Sequence, residues 1–188
     1  MGLQSVISHA TLCFGMNHRV LEGSKIIDLP HIIMNHWFVQ WTKNEVGKFE
    51  QHDDFMMDCI GHNAANWKKN AQRGDIVWIH SVDAPNQTHY LLGKMKLDVL
   101  LNRDDTMEVI GRDLSTIKYK EYWINKWEWE EMKQLNMGDL ARELNFFPLH
   151  RLPDDYMSGQ FLRTPRTLSP VDHNKLLDFW NNHPETIG

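Results

Sequence analysis

Histidine and cysteine are the residues of this sequence whose side chains most readily bind metals or carry catalysis. The chain has 11 His and 2 Cys. No two histidines stand one helical turn apart around a glutamate, so the spacing favours scattered polar histidines over a metal-dependent hydrolase, the least favoured alternative. Cys13 and Cys59 are too few for a disulfide framework or a cysteine-based zinc site, which favours a reducing compartment and leaves open one long-range bridge between them. We therefore expect no metal, no cofactor and no catalytic residue.

Aromatic side chains are the second informative group, because they fill cores and also form flat walls around ligands. The sequence has 8 Trp, 8 Phe and 4 Tyr. Strand and helix periodicity place Trp78 and Trp180 in the core. For Trp41, at a strand end, and Trp67, in a short helix, core packing and a ligand wall both stay open. The aromatic-rich segment of residues 119–129 keeps a further function class open, a protein-interaction or oligomerisation module.

Length and charge set the size and the broad class of the protein. The chain of 188 residues predicts one compact domain, which we place at residues 34–188 after an N-terminal extension of residues 1–33. The formal net charge is −5, so no overall basic field indicates nucleic acid as a partner. No apolar stretch approaches the roughly 18 residues of a membrane span, and no basic segment opens a secretory signal. We expect a cytoplasmic protein without a membrane partner.

The elements that would position these residues are strands mixed with helices. Strands are expected at residues 36–41, 76–80, 90–101 and 119–129, the third of them bent or bulged at Gly93. Helices are expected at residues 48–59, 64–72 and 130–144, and a closing helix starts with Ser169 as N-cap, Pro170 at N1 and Asp172 at N3. Residues 1–33 predict either an extension wrapped on the domain or a weak strand pair. The order predicts a small mixed β-barrel of the α+β class, with helices packed around and between the strands.

Three segments in a fixed order resemble a known family. Residues 74–81, GDIVWIHS, precede an apolar strand with a central glycine at residues 90–97, YLLGKMKL. Residues 161–170, FLRTPRTLSP, then lead into the closing helix. This pattern resembles the EVE domain, a branch of the PUA-like superfamily that also includes YTH and ASCH domains. The resemblance covers about residues 34–182 and implies a PUA-like mixed β-barrel.

The resemblance also implies a function, that of a non-catalytic reader of a modified nucleobase. Such domains bind a modified, typically methylated, base of DNA or RNA in a pocket at the mouth of the barrel, in several settings beside a nuclease. A base outside its stack needs aromatic walls and polar groups for its Watson–Crick edge. The residues placed for that role are Trp41, Thr42, Asn66, Trp67, His80, Ser81 and Asp83. The cations placed for the phosphates are Lys68, Lys69, Arg73, Arg163 and Arg166. The expected partners are a nucleic acid with a modified base and a nuclease or other effector protein.

Overall fold

The computed structural model describes residues 19–22, 25–28, 34–41, 56–83, 88–125, 130–147 and 163–183. The chain divides into two compact units, residues 1–33 and residues 34–188. In the first unit, β1 (Arg19–Glu22) and β2 (Lys25–Asp28) form an antiparallel pair with Arg19 opposite Asp28. The weak strand pair expected from the sequence is therefore present in residues 1–33.

The second unit is organised by a six-stranded sheet in the order β11–β7–β6–β3–β13–β12. Its two central strands, β3 (His36–Gln40) and β6 (Ile76–Asp83), run parallel, with His36 opposite Ile76 and Gln40 opposite His80. The other pairs are antiparallel and involve β7 (Thr88–Lys96), β11 (Leu135–Asn136), β12 (Phe146–Phe147) and β13 (Arg166–Leu168). The continuous apolar run of β6 fits its place between two neighbours, because such a strand is buried on both faces.

Five further strands of this unit belong to two smaller sheets. The three-stranded sheet has the order β5–β9–β8 and consists of β5 (Cys59–Ile60), β9 (Glu121–Ile124) and β8 (Val99–Asn102). The remaining pair joins β4 (Met56–Met57) to β10 (Glu130–Glu131).

The four helices in the described part of the chain are short, apart from the last. They are α1 (Ala65–Asn70), α2 (Arg103–Ile110), α3 (Leu140–Glu143) and α4 (Pro170–Asn182). The side chain of Ser169 accepts the N–H of Asp172, and Pro170 stands at the start of α4, which confirms the predicted cap. No helix among these is long and apolar enough to cross a membrane.

Two hydrophobic clusters lie on opposite faces of the six-stranded sheet. One joins alternate residues of β3 and β6 to α1 and the three-stranded sheet, through Trp37, Trp67 and Tyr122. The other joins the remaining alternate residues to α3 and α4, through Trp78 and Trp180. This period-2 division confirms the core placement of Trp78 and Trp180.

Several sequence-based elements differ from the structure. The α+β class is confirmed, but the strands that the structure describes form open sheets and no closed barrel. The helix predicted at residues 48–59 is wrong at its end, where residues 56–57 and 59–60 are strands, and residues 48–55 lie outside the described residues. The helix predicted at 130–144 is wrong except for Leu140–Glu143, because residues 130–131 and 135–136 pair with distant strands.

The two remaining predicted strands are shorter than expected. The strand predicted at residues 90–101 divides into β7 and β8, which belong to different sheets. Its bulge is present: Ile79 pairs with Gly93 and His80 with Leu91, so Leu92 is the extra residue. Of the strand predicted at residues 119–129, only Glu121–Ile124 is extended in the described part.

Candidate functional site

The parallel pairing of β3 and β6 brings several of the predicted site residues to one edge of the sheet. Because parallel strands end at the same edge, Gln40 and His80 are direct neighbours there. The N–H of Trp41 donates to the carbonyl oxygen of His80 at 2.8 Å. Ser81 and Asp83 complete β6 beyond this point and are half-buried. Thr42, which follows Trp41, lies outside the described residues.

His80 is the most unusual of these side chains. It is 0% exposed and stacks on Phe38, with ring centroids 4.2 Å apart and an interplanar angle of 5°. Within the described part of the chain, neither ring nitrogen of His80 has a hydrogen-bond partner, and the Gln40 Oε1 atom has none either. An unpaired buried polar atom costs about 1–3 kcal/mol, so three of them in neighbouring residues are a concentrated cost.

The surroundings of His80 keep its ring uncharged near neutral pH. Burial lowers the pKa of His80 well below its usual value, and the nearby His89 lowers it further. The Ser81 backbone offsets part of this effect, although it does not reach hydrogen-bonding geometry. A neutral imidazole has one N–H donor and one nitrogen acceptor, and the Gln40 amide oxygen is a further acceptor. Groups of these types can pair with the donors and acceptors of a planar heterocycle.

The two tryptophans predicted to stack on a base are both interior residues. Trp41 is 4% exposed and Trp67 is 3% exposed. Both belong to the cluster on the face of the sheet opposite to Phe38 and His80. Trp67 packs edge-on against Trp37 with centroids 5.2 Å apart. The structure therefore brings Trp41 and Trp67 into one cluster, but as core packing and not as an open pair of ring faces.

Three loop segments converge on a second group of residues that we call the junction: His62, Asn63, Asn66, Lys118, Tyr119 and Arg163. The Nδ1 of His62 accepts the Ala64 N–H at 2.9 Å, so the proton lies on Nε2, which donates to the Arg163 carbonyl at 3.0 Å. Asn63 donates to the Lys118 carbonyl at 3.2 Å, and Asn66 to the Pro165 carbonyl at 2.8 Å. Asn66 is exposed, whereas the neighbouring Trp67 is buried.

The junction lies at the same edge of the sheet as His80. β13 runs antiparallel to β3 with Arg166 opposite Phe38, so residues 163–165 extend toward the end of β3 that Gln40 occupies. No role for His62 or Lys118 was predicted from the sequence, and Tyr119 was considered only as part of the aromatic segment 119–129. The available signal was the pair His62-Asn63 just before a helix, where polar side chains commonly bond to nearby backbone groups.

The five predicted phosphate ligands do not form one rim. Arg163 is exposed in the junction, and Lys68 and Lys69 are exposed in the last turn of α1. Arg73 lies before the start of β6, at the other end of that strand from His80, and pairs with Asp98 at 2.8 Å. Arg166 is half-buried within β13.

The Gly-Asp turn that carries much of the family resemblance has a structural role here. Gly74 has a φ of 95°, which glycine adopts without strain. Asp75 is fully buried, and its carboxylate accepts the Asn35 N–H, the Trp37 Nε1–H and the Gln72 N–H at 2.9, 2.8 and 3.1 Å. The turn therefore fixes the start of β6 against β3 and contributes no side chain to the edge at His80.

The described residues give little support to the two alternative kinds of site, a metal centre and a protein interface. Among the described residues, no group of three or more His, Cys, Asp or Glu side chains could hold a metal ion. Tyr122, in the segment expected to form a protein interface, is 2% exposed, while Trp123 is half-buried. Residues 126–129 lie outside the described residues.

Comparison with known proteins adds no family assignment. No protein-family model matches the sequence, and no characterised protein shows significant similarity to it.

Proposed function

We propose that residues 34–188 form a non-catalytic nucleic-acid-binding domain that reads a modified, typically methylated, nucleobase at the His80 edge of the sheet. The observation that carries the proposal is the group of unpaired polar atoms on His80 and Gln40. Buried donors and acceptors in native proteins are nearly always satisfied, so unpaired ones in neighbouring residues suit a ligand that completes them. The edge of a nucleobase presents such a planar set of donors and acceptors.

The fold is compatible with the PUA-like arrangement that the sequence resembles. The six-stranded and three-stranded sheets share one hydrophobic cluster, to which β3, β6, β5 and β9 all contribute. We propose that these sheets are the two sides of a partly open barrel, whose mouth is the edge at His80. In this proposal the domain contributes recognition alone, and a nuclease or another effector protein acts on the marked nucleic acid.

A binding panel tests the proposal. The purified chain is titrated with methylated, hydroxymethylated and plain oligonucleotides, as DNA and RNA, single- and double-stranded. One buried methyl group contributes about 0.8 kcal/mol, so the preferred mark should bind at least about fourfold more tightly than its plain counterpart. Equal affinity for all members of the panel would refute the reading of a modified base.

A matched pair of variants locates the reading site. Gln40→Met removes the unpaired oxygen and keeps the length of the side chain, so we expect it to abolish the preference for the marked oligonucleotide. Gln134→Met makes the same chemical change at an exposed position and should keep the preference. Loss of the preference in both variants, or in neither, would exclude Gln40 from the recognition of the base.

A further inference from the structure

In the junction, Lys118 and Arg163 combine exposed, positively charged side chains with hydrogen-bonded backbone carbonyls. The carbonyl oxygens of Lys118 and Arg163 accept hydrogen bonds from Asn63 and His62, which tie both residues to the segment before α1. Their side chains are exposed and make no hydrogen bond or ion pair within the described residues. Two positive charges from distant parts of the chain therefore lie next to the same segment, His62-Asn63.

An aromatic pair belongs to the same junction. The rings of His62 and Tyr119 are 6.0 Å apart with an interplanar angle of 23°, and both side chains are half-buried. Gly61 permits this packing, because a Cβ atom at this position would lie 2.7 Å from Cδ2 of Tyr119. The ring of Tyr119 is thus held against the chain instead of turning freely in solvent. Aromatic faces and cations together are the features with which proteins bind single-stranded nucleic acid.

We propose that the junction is the path of the nucleic-acid backbone next to the base that is read, with Lys118 and Arg163 in contact with phosphates. The inference rests on the proposed function and deepens it, because it names the surface that holds the strand while His80 and Gln40 meet the base. It also changes the set of phosphate-binding residues expected from the sequence: Lys118 joins Arg163, whereas Arg73 lies at the other end of β6 and is paired with Asp98. The ligand chemistry is a phosphodiester chain, of either DNA or RNA.

The test is the salt dependence of binding for the double variant Lys118→Gln/Arg163→Gln. Single-stranded DNA and RNA of one sequence, each with and without the preferred mark, are titrated over a range of salt concentrations. Each phosphate contact contributes about 0.7 to the slope of log K against log salt for single strands, so the slope should fall by about 1.4. At about 0.1 M salt this corresponds to an affinity loss of about 25-fold, equal for marked and plain strands. The DNA and RNA arms show which backbone the junction holds.

Lys96→Gln is the matched control. Lys96 is exposed at the end of β7, where it pairs with Ile76 at the start of β6, at the other end of β6 from His80. The control should leave affinity and slope unchanged. An unchanged slope in the double variant, or an equal loss in the control, would overturn the junction as the backbone path while leaving base reading intact. Failure of the wild-type chain to bind any oligonucleotide would overturn both proposals.

Discussion

Replacing His80 by leucine should make the protein more stable and remove the base recognition that we propose. In the ligand-free protein His80 contributes two unpaired ring nitrogens to a fully buried position. Leucine has no polar atom to leave unpaired at this position. A buried polar side chain without partners is costly, whereas an apolar group of similar size in the same place is often neutral or stabilising.

The expected gain in stability is the balance of one favourable contribution and two unfavourable ones. Each unpaired nitrogen costs about 1–3 kcal/mol, which His80→Leu recovers. The variant loses the ring stack with Phe38, worth about 0.5–1.5 kcal/mol, and the change of side-chain shape costs up to about 1.5 kcal/mol. We expect a net gain of about 2 kcal/mol in the free energy of unfolding at neutral pH, or a rise of about 4–8 °C in Tm for a unit of this size.

The pH dependence of the free energy of unfolding tests the same description of His80 more specifically. The pKa of His80 is lowered in the folded protein, so below the unfolded value of about 6.5 the unfolded chain takes up a proton that the folded chain does not. The stability of the wild type is therefore highest above that pH and falls as the pH drops below it. His80→Leu lacks this loss, so its advantage should grow by about 1.4 kcal/mol between pH 7.5 and pH 5.5.

Urea unfolding of both proteins at these two pH values measures the effect. A variant that is destabilised by more than about 1 kcal/mol, or an advantage that stays constant with pH, would refute the description of His80 as a buried, unpaired and uncharged ring.

Three further substitutions test how the edge at His80 is supported. Asp75→Ala leaves the Trp37 Nε1–H and two backbone N–H groups unpaired, so it should lower the free energy of unfolding by about 3–5 kcal/mol. A loss below about 1 kcal/mol in urea titrations would contradict the role of the Gly-Asp turn in fixing β6 against β3. Gly61→Ala forces a Cβ atom against Tyr119 and should cost about 1–3 kcal/mol, and an unchanged Tm would show that the ring moves aside without cost. Trp67→Ala should cost about 3–5 kcal/mol as a core truncation, and a loss of binding without a loss of stability would return Trp67 to the role of base-stacking residue.

The elements that were predictable from the sequence are those specified by local chemistry. Ser169 and Pro170 mark the start of α4 because the cap and the first turn involve neighbouring residues alone. The run of β-branched and aromatic residues from Ile76 to Ile79 marks a doubly buried strand, whatever its partners are. Gly93 indicates a bulge for the same local reason, and the register shift lies beside it.

The errors fall where distant pairing determines the structure. Residues 130–131 and 135–136 are strands because they pair with β4 and β7, and a two-residue strand carries no period of its own. Residues 102–105, NRDD, suit a turn equally well, but Asn102 caps α2 by accepting the Asp105 N–H with its side chain. Asparagine and aspartate favour both turns and helix caps, so the residue types alone do not separate the two.

In the candidate site, too, positions set by local sequence were predictable and positions set by distant pairing were not. That His80 and Ser81 stand at the end of a strand was predictable, since the apolar run ends there. Gln40 is the neighbour of His80 because β3 and β6 pair in parallel, although other elements, including α1, lie between them along the chain. The convergence of Asn63, Lys118 and Arg163 depends on side-chain bonds between three loops, for which no sequence period exists.

The contrast between tryptophan and histidine shows which buried side chains point to a ligand. Burying Trp41 or Trp67 is favourable in itself, because apolar area leaves water, so a buried tryptophan needs no ligand to account for it. Burying the His80 ring without partners is unfavourable, and the fold must offset that cost elsewhere. A feature that opposes stability is better evidence of function than one that supports it, since packing alone does not explain it. The search for the ligand therefore starts at His80 and Gln40, on the face of the sheet opposite to Trp41 and Trp67.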